Sequence, residues 1–255
     1  MTRTEKPKPR IRRTKPPAPN TETKPQCHIH DKVEFWEVED IRVNVCVNNE
    51  DIKEYEGKHY CLFHLPTKDK DIQKFEKNFR DKLAEVEQNL ADIEKLPEEE
   101  QEIEKAKLSY DFRYVFFPSK LNFFKYKFEV AASFMSATFS AAANFISATF
   151  SGGADFISVK FLASADFSLV TFSSVTWFHL TTFSDTANFR SATFSASAAF
   201  ILVSFSADAN FFSATFSDTA NFRSATFSAL AEFRAAKVEE SAQISFKQSS
   251  KSFMR

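Results

Sequence analysis

The sequence predicts an all-β fold, a four-sided parallel β-helix of about six coils, preceded by a small cysteine- and histidine-rich module and an α-helix. The first observation is the spacing of phenylalanine. Twenty-three phenylalanines from Phe112 to Phe233 follow one another at intervals that alternate between five and six residues. The second is a small residue, usually alanine, two positions before most of them. The third is an apolar stripe of helical spacing between Lys68 and Leu96.

The phenylalanine spacing fits neither a straight helix nor a flat strand. At about 100° per residue, gaps of five and six place alternate rings on nearly opposite faces of a helix. In an extended strand, each gap of five reverses the face. The chain must therefore turn after each phenylalanine, and four such turns make a coil of about 22 residues with every ring inside. Six coils stacked at roughly 4.8 Å give a rod about 29 Å long.

Four columns of rings follow from this coil. They begin at Phe112, Phe117, Phe123 and Phe128, and we expect Ile244 to close the first column and Val238 the fourth. The small residue at the second position before each ring should also face inward. The six-residue gaps should place an extra residue at two of the four corners. Asn and Asp directly before the rings should help the turns, since they tolerate unusual backbone angles.

Two stretches of the repeat resemble a known family. Ala187-Asn188-Phe189-Arg190-Ser191 and Ala192-Thr193-Phe194-Ser195 are similar to the units of the pentapeptide-repeat family, and the alternate six-residue units match its Phe-rich subgroup. The resemblance covers about residues 110–245. It implies a right-handed, four-sided parallel β-helix.

A solenoid needs caps, because its terminal coils expose apolar side chains and open strand edges. We expect the apolar stripe of the preceding helix, which Pro97 ends, to pack onto the first coil or onto the small module. The alternative is a coiled-coil seam, which would give a homodimer through Ile72–Ile93. A homodimer through the C-terminal coil is also open, with Phe246 and Phe253 as lid or dimer contacts. The stripe comprises Ile72, Phe75, Phe79, Leu83, Val86, Leu90 and Ile93.

Charge divides the nearly neutral chain into regions. Residues 1–26 carry eight Lys/Arg, two Glu and six of the nine prolines, which predicts a disordered basic tail without the apolar core of a secretory signal. Residues 27–111 carry a net charge of about −10, whereas the solenoid is charge-balanced. The predicted domains are the tail, a zinc-finger-like module (27–66), a capping helical region (67–109), the solenoid (110–246) and a C-terminal tail (247–255).

The three cysteines suggest a metal site. Cys61-Leu62-Phe63-His64 is a C-x2-H knuckle, and Cys27 and Cys46 lie upstream. Cys27, Cys46, Cys61 and His64 would form a closed Cys3His set for one structural zinc ion. A rival set replaces Cys46 by His30. The segment from Tyr60 to Pro66 resembles the zinc-finger-like module found ahead of some Phe-rich pentapeptide solenoids, and this resemblance favours the three-cysteine set.

The alternative to a metal site is that Cys46 and Cys61 are simply buried small side chains and that the histidines lie on the surface. An odd number of cysteines without a signal segment favours a reducing, cytoplasmic environment over a disulfide framework. No stretch reaches the apolar length of a membrane span.

No catalytic motif accompanies the repeat. With three glycines the chain has no phosphate loop, and its serines occupy repeat positions without a paired base.

We therefore predict a non-enzymatic scaffold that binds another protein. One alternative is a nucleic-acid-associated protein that uses the basic tail and the zinc module, although the acidic module opposes this. The other comes from the family resemblance: some members mimic DNA and act on type II topoisomerases, which would require a strongly acidic rod.

Overall fold

The computed structural model describes residues 27–29, 52–239 and 243–246. Within these ranges the chain forms a short β-hairpin and two α-helices, followed by a parallel β-solenoid of about six coils. Each coil contributes short strands to four parallel sheets, so the solenoid has four faces. The predicted fold class is confirmed.

The hairpin joins antiparallel strands β1 (Lys53–Tyr55) and β2 (Lys58–Tyr60). Its turn residues, Glu56 and Gly57, have φ values of 48° and 73°, the left-handed conformation that two-residue hairpin turns require. No helix in the described ranges is long and apolar enough to cross a membrane.

Helix α1 spans Ile72–Ile93, and helix α2 spans Glu98–Lys105. The Asp71 side chain caps α1 by accepting a hydrogen bond from the backbone N–H of Lys74 at 2.9 Å. Helix α1 is shorter than the predicted range, Lys68–Leu96, because Asp71 caps its start and its C-cap is Glu94, three residues before Pro97. Helix α2 buries none of its side chains and has no apolar stripe, so it was not predicted as a separate helix within the helical region 67–109.

The four faces follow one another in chain order. The first face comprises Ser109–Asp111, Ala131–Ser133, Ala154–Asp155, Thr176–Trp177, Ala198–Ala199, Ala220–Asn221 and Ile244–Ser245. The second face comprises Phe116–Phe117, Thr138–Phe139, Lys160–Phe161, Thr182–Phe183, Ser204–Phe205 and Thr226–Phe227. The third face comprises Leu121–Asn122, Ala143–Asn144, Ala165–Asp166, Ala187–Asn188, Ala209–Asn210 and Ala231–Glu232. The fourth face comprises Lys127–Phe128, Thr149–Phe150, Thr171–Phe172, Thr193–Phe194, Thr215–Phe216 and Lys237–Val238.

Strands pair in register with residues 22 positions away, as the columns predicted. Phe172 pairs with Phe150 and with Phe194, and its ring lies 5.0 Å from each of theirs. All twenty-three repeat phenylalanines are buried except Phe227 and Phe233 at the C-terminal end, which are half-buried. The small residues two positions earlier face inward as well, and most of the alanines among them are fully buried.

The two kinds of corner differ. At each corner within a five-residue gap between phenylalanines, the residue two positions after the first phenylalanine is in the left-handed conformation, with φ between 54° and 60°, although it is not glycine. Such a backbone is costly without glycine. The side chain before the phenylalanine helps to hold it: Asn188, for example, accepts a hydrogen bond from the Arg190 N–H at 3.1 Å, next to Ser191 at φ 54°. The extra residue of the six-residue gaps lies at the other two corners.

Helix α1 closes the N-terminal end of the solenoid. The Phe79 ring lies 5.0 Å from Phe112, 5.5 Å from Phe117 and 5.9 Å from Phe123, so it continues the aromatic core beyond the first coil. The buried members of the stripe are Phe75, Phe79, Val86, Leu90 and Ile93. The expectation that the stripe packs onto the first coil is confirmed, although Ile72 is exposed.

The C-terminal end departs from the predicted register. Ile244 pairs with Ala220, and the Phe246 ring stacks on Phe222 at 5.1 Å. Phe246 therefore continues the first column in place of Ile244, because the last coil contains two additional residues. Val238 continues the fourth column as predicted, but it is 44% exposed.

Candidate metal centre

Cys27, Cys61 and His64 lie together in the interior at the N-terminal end. The Cys61 Sγ atom lies 3.1 Å from His64 Nδ1, and the Cys27 Sγ atom lies 3.4 Å from it. The three potential ligand atoms all lie within 4.8 Å of one another. All three residues are buried, with at most 2% of their surface exposed. These side chains could hold a metal ion.

Local structure brings the three side chains together. The backbone N–H groups of His64 and Leu65 both donate to the Cys61 carbonyl, at 3.1 and 3.0 Å, which closes the knuckle into a tight turn. The His28 N–H donates to the His59 carbonyl at 2.7 Å, and this bond ties the segment of Cys27 to the hairpin. The C-x2-H motif thus supplies two of the potential metal ligands, Cys61 and His64, and the hairpin brings Cys27 to them.

A hydrogen bond to the solenoid fixes the orientation of the His64 ring. Its Nε2 atom lies 3.2 Å from the Arg113 carbonyl oxygen, which can only accept, so Nε2 carries the hydrogen. In the neutral ring, Nδ1 then presents its lone pair to the two sulfur atoms. A histidine that binds a metal usually has this arrangement, with its other nitrogen donating to a carbonyl or carboxylate.

The electrostatics of the cluster favour a positive charge beside the sulfur atoms. Burial alone would lower the pKa of His64, but hydrogen bonds with Cys27 and Cys61 outweigh it and raise this pKa to about 9. The same two sulfur atoms that stabilise a proton on Nδ1 would also stabilise a metal cation.

The predicted ligands have different outcomes. The structure brings Cys27, Cys61 and His64 together, whereas Cys46 and the rival ligand His30 lie outside the described residues. The full set of Cys27, Cys46, Cys61 and His64 therefore stays a prediction. Across the described ranges, no other group of three or more His, Cys, Asp or Glu side chains has this clustered geometry.

Lys70 lies beside the cysteine–histidine cluster and was not predicted from the sequence. Its ammonium group is buried and donates to the carbonyl oxygens of Leu62, Phe63 and Phe116 at 2.8, 3.0 and 2.8 Å. It also lies 4.8 Å from the centre of the Phe75 ring. Burial lowers the pKa of Lys70 to about 7, while the three carbonyl contacts favour its charged form. Lys70 thus fastens the knuckle to the first coil, and no sequence motif distinguishes it from the exposed Lys68.

The His, Asp and Glu side chains of the solenoid do not form a second potential metal-binding group among the described residues. His179 is half-buried next to Trp177, which is 40% exposed. The Asp side chains act locally: Asp155 and Asp166 each accept a backbone N–H two residues ahead, at 2.8 and 2.9 Å. Asp218 accepts from the next residue at 2.6 Å.

A comparison of the chain with family models, curated proteins and solved structures found no match. The description of the chain as a repeat solenoid therefore rests on its own geometry, which is four parallel sheets, a register of 22 residues and a phenylalanine core.

Proposed function

We propose that the chain is a non-enzymatic pentapeptide-repeat scaffold for protein–protein interaction, with one structural zinc ion in its N-terminal module. The observation that carries this proposal is the filled interior of the rod. Phenylalanine rings stack through every coil, from Phe79 of α1 to Phe246, and leave the outward side chains as the part of the solenoid that can meet a partner. A repeat solenoid with a rigid surface suits a binding role.

The geometry of the three clustered ligands supports zinc. With bonds of about 2.3 Å to sulfur and 2.0–2.1 Å to nitrogen, a tetrahedral ion would separate Sγ from Nδ1 by about 3.6 Å. The separations in the structure, 3.1 and 3.4 Å, require only a small expansion. Two thiolates and one imidazole suit zinc, and a structural site needs a fourth ligand. We assign that position to Cys46, with His30 as the alternative.

The zinc ion would hold the module against the solenoid. His64 reaches the first coil through the Arg113 carbonyl, and the Phe63 carbonyl accepts the Phe116 N–H at 3.0 Å. We propose that residues 27–66 form the zinc-finger-like module, 67–109 the helical cap and 110–246 the solenoid. The module is too small for a sizeable core of its own, so metal binding would supply much of its stability.

Metal content tests the zinc part of the proposal. Native mass spectrometry of the full chain, purified without added metal, should show one zinc ion. The variant His64→Ala should lose the ion, and His179→Ala, with its histidine far along the rod, should keep it. Loss of zinc in Cys46→Ser but not in His30→Ala would support the three-cysteine set, and the reverse would support the rival set. A chain without zinc would contradict the proposal.

Affinity capture tests the scaffold part. The full chain and a form without residues 1–26 should retain the same partner protein from a lysate if the rod binds it. A partner retained only by the full chain would place binding in the tail. Binding that is lost at moderate salt and after nuclease treatment would favour nucleic acid instead.

We propose that the chain forms a homodimer through the C-terminal coil. Helix α1 buries its apolar stripe within its own chain, whereas Phe246 is 40% exposed on the last coil. The sheets also end in open strand edges there, within the described part of the chain. Light scattering should show a dimer that Phe246→Lys converts to a monomer. A dimer unaffected by this substitution would place the interface elsewhere.

A further inference from the structure

The fourth face carries an uninterrupted array of hydroxyl groups on four successive coils. Each of these coils reads Thr-Phe-Ser, with the phenylalanine buried and a hydroxyl group on either side of it. The four segments are residues 149–151, 171–173, 193–195 and 215–217. Lys127 and Lys237 occupy the threonine position on the coils before and after, so the array has defined ends.

The array is regular because the strands behind it are regular. The threonines pair directly across neighbouring strands, Thr171 with Thr149 and with Thr193, and Thr193 with Thr215. The backbone N–H groups of Thr193 and Thr215 donate to the preceding coil at 2.9 and 2.8 Å. Beneath them, the three successive pairs of rings from Phe150 to Phe216 are each separated by 5.0 Å.

These hydroxyl groups are not used inside the protein. Among the described residues, the four threonine hydroxyls and those of Ser151, Ser173 and Ser195 make no hydrogen bond to another protein group, and only the Ser217 hydroxyl donates, to Glu239 at 3.2 Å. The third face differs, since its Asn and Asp side chains accept backbone N–H groups at the corners. The hydroxyl groups of the fourth face are therefore available to water.

The spacing of the array is close to that of tetrahedral water. Threonines on neighbouring strands repeat at about 4.8 Å. Each Ser lies just past the end of its two-residue Thr-Phe strand, and two residues of extended chain span about 6.6 Å. Water molecules joined by hydrogen bonds of about 2.75 Å in tetrahedral geometry repeat at about 4.5 Å in one direction and about 7.3 Å perpendicular to it. Both spacings agree within about a tenth, and the rotation of threonine side chains can absorb the accumulated difference.

The array also lacks charge. A charged side chain would order water around itself and interrupt a lattice, and none occurs within the four Thr-Phe-Ser segments. The second face lacks this continuity, since Lys160 and Leu162 take the corresponding positions on one of its coils. We propose that the fourth face binds ice, with its Thr and Ser hydroxyl groups acting as the first layer of an ordered water lattice. This inference is independent of the zinc ion and of any protein partner.

Ice-recrystallisation inhibition and capture of the full chain into growing ice test the proposal. We expect the full chain to enter the ice and to slow recrystallisation at concentrations where serum albumin does neither. Thr171→Lys, at the centre of the array, should abolish both effects. Thr182→Lys is the matched control, because it makes the same change on the second face, next to Lys160.

The variants must be compared in the folded state, which circular dichroism melting curves establish. If Thr171→Lys lowers the melting temperature, Ser173→Lys provides the same test in the second row of hydroxyl groups. A full chain no more active than albumin would overturn the proposal. Equal losses in Thr171→Lys and Thr182→Lys would also overturn it, because ice binding would then not depend on the fourth face.

Discussion

The cost of Phe189→Ala can be worked out from the packing of the ring. Phe189 is fully buried in the middle of the third column. Its ring stacks between Phe167 at 5.0 Å and Phe211 at 4.8 Å, with interplanar angles of 3° and 2°. It also meets the edges of Phe178 and Phe200 at 5.4 and 5.6 Å. The substitution therefore removes contacts on both sides of one coil and across its centre.

The magnitude should lie at the upper end of the range for buried aromatic residues. Phe→Ala in a core costs about 3–5 kcal/mol, and each aromatic pair contributes about 0.5–1.5 kcal/mol beyond area burial. The coils cannot collapse into the cavity, because backbone bonds such as Phe189 N–H to the Asn210 carbonyl, at 2.6 Å, hold them apart. We expect the free energy of unfolding to fall by about 5 kcal/mol.

Phe212→Ala is the matched control. Phe212 follows a buried ring on the neighbouring coil, but it faces outward and is half-buried between Arg190 and Arg234, at 5.1 and 6.0 Å. Its loss should cost about 1 kcal/mol or less. Urea unfolding of the full chain, followed by circular dichroism, measures both variants. Equal costs at the two positions would refute the assignment of inward and outward faces.

Three further predictions concern the N-terminal end and the corners. Lys70→Met leaves buried carbonyl oxygens without a donor and should lower the free energy of unfolding by about 2–4 kcal/mol, whereas Lys68→Met should leave urea unfolding unchanged. A zinc chelator should lower the melting temperature of the full chain but have no effect on His64→Ala; equal shifts in both would argue against a metal at this histidine. Ser191→Gly should change stability by less than about 1 kcal/mol. Ser191→Val should cost about 1–3 kcal/mol, because the φ of 54° at position 191 disfavours a β-branched side chain. Thermal melts of both variants decide this.

The repeat was predictable because each coil obeys the same local rule. A gap of five or six residues, a ring and a small inward neighbour leave little freedom, so the register held from Phe112 to Phe233. The rule fails where the chain stops repeating. The two additional residues before Phe246 follow no period, and the assignment of Ile244 to the first column was wrong for that reason.

The conformation of the corners was only partly predictable. Asn and Asp before the rings indicated turns, and their side chains do accept the expected backbone N–H groups. The left-handed residue two positions after the ring had no comparable signal, because it is mostly serine or leucine, and elsewhere Tyr114, Lys125 or Ala235, but never glycine. Ser191 and Leu180 have φ values of 54° and 58°. The inter-coil bond from the Ser191 N–H to the Phe212 carbonyl, at 2.9 Å, shows that neighbouring coils support this conformation.

The cluster of Cys27, Cys61 and His64 was predictable only in part from a short motif. Cys61 and His64 are three residues apart, and their proximity follows from one turn of the chain. Cys27 lies 37 residues from His64 in sequence, so no local pattern joins the two. Their proximity was predicted only because a zinc ion needs four ligands and the chain has few cysteines. Lys70 could not be predicted at all, because its three acceptors are backbone carbonyls, which every residue carries.

The two ends of the rod are closed to different extents, and this difference determines where it should open first. At the N-terminal end, Phe79 extends the ring stack, Lys70 binds carbonyls on both sides of the boundary and His64 contacts the first coil. At the C-terminal end, the described residues place one half-exposed ring, Phe246, over the last turn. In a repeat protein each coil is stabilised mainly by its neighbours. A coil with a neighbour on one side only is therefore the weakest, and opening should begin at the C-terminal coils and proceed towards the cluster of Cys27, Cys61 and His64.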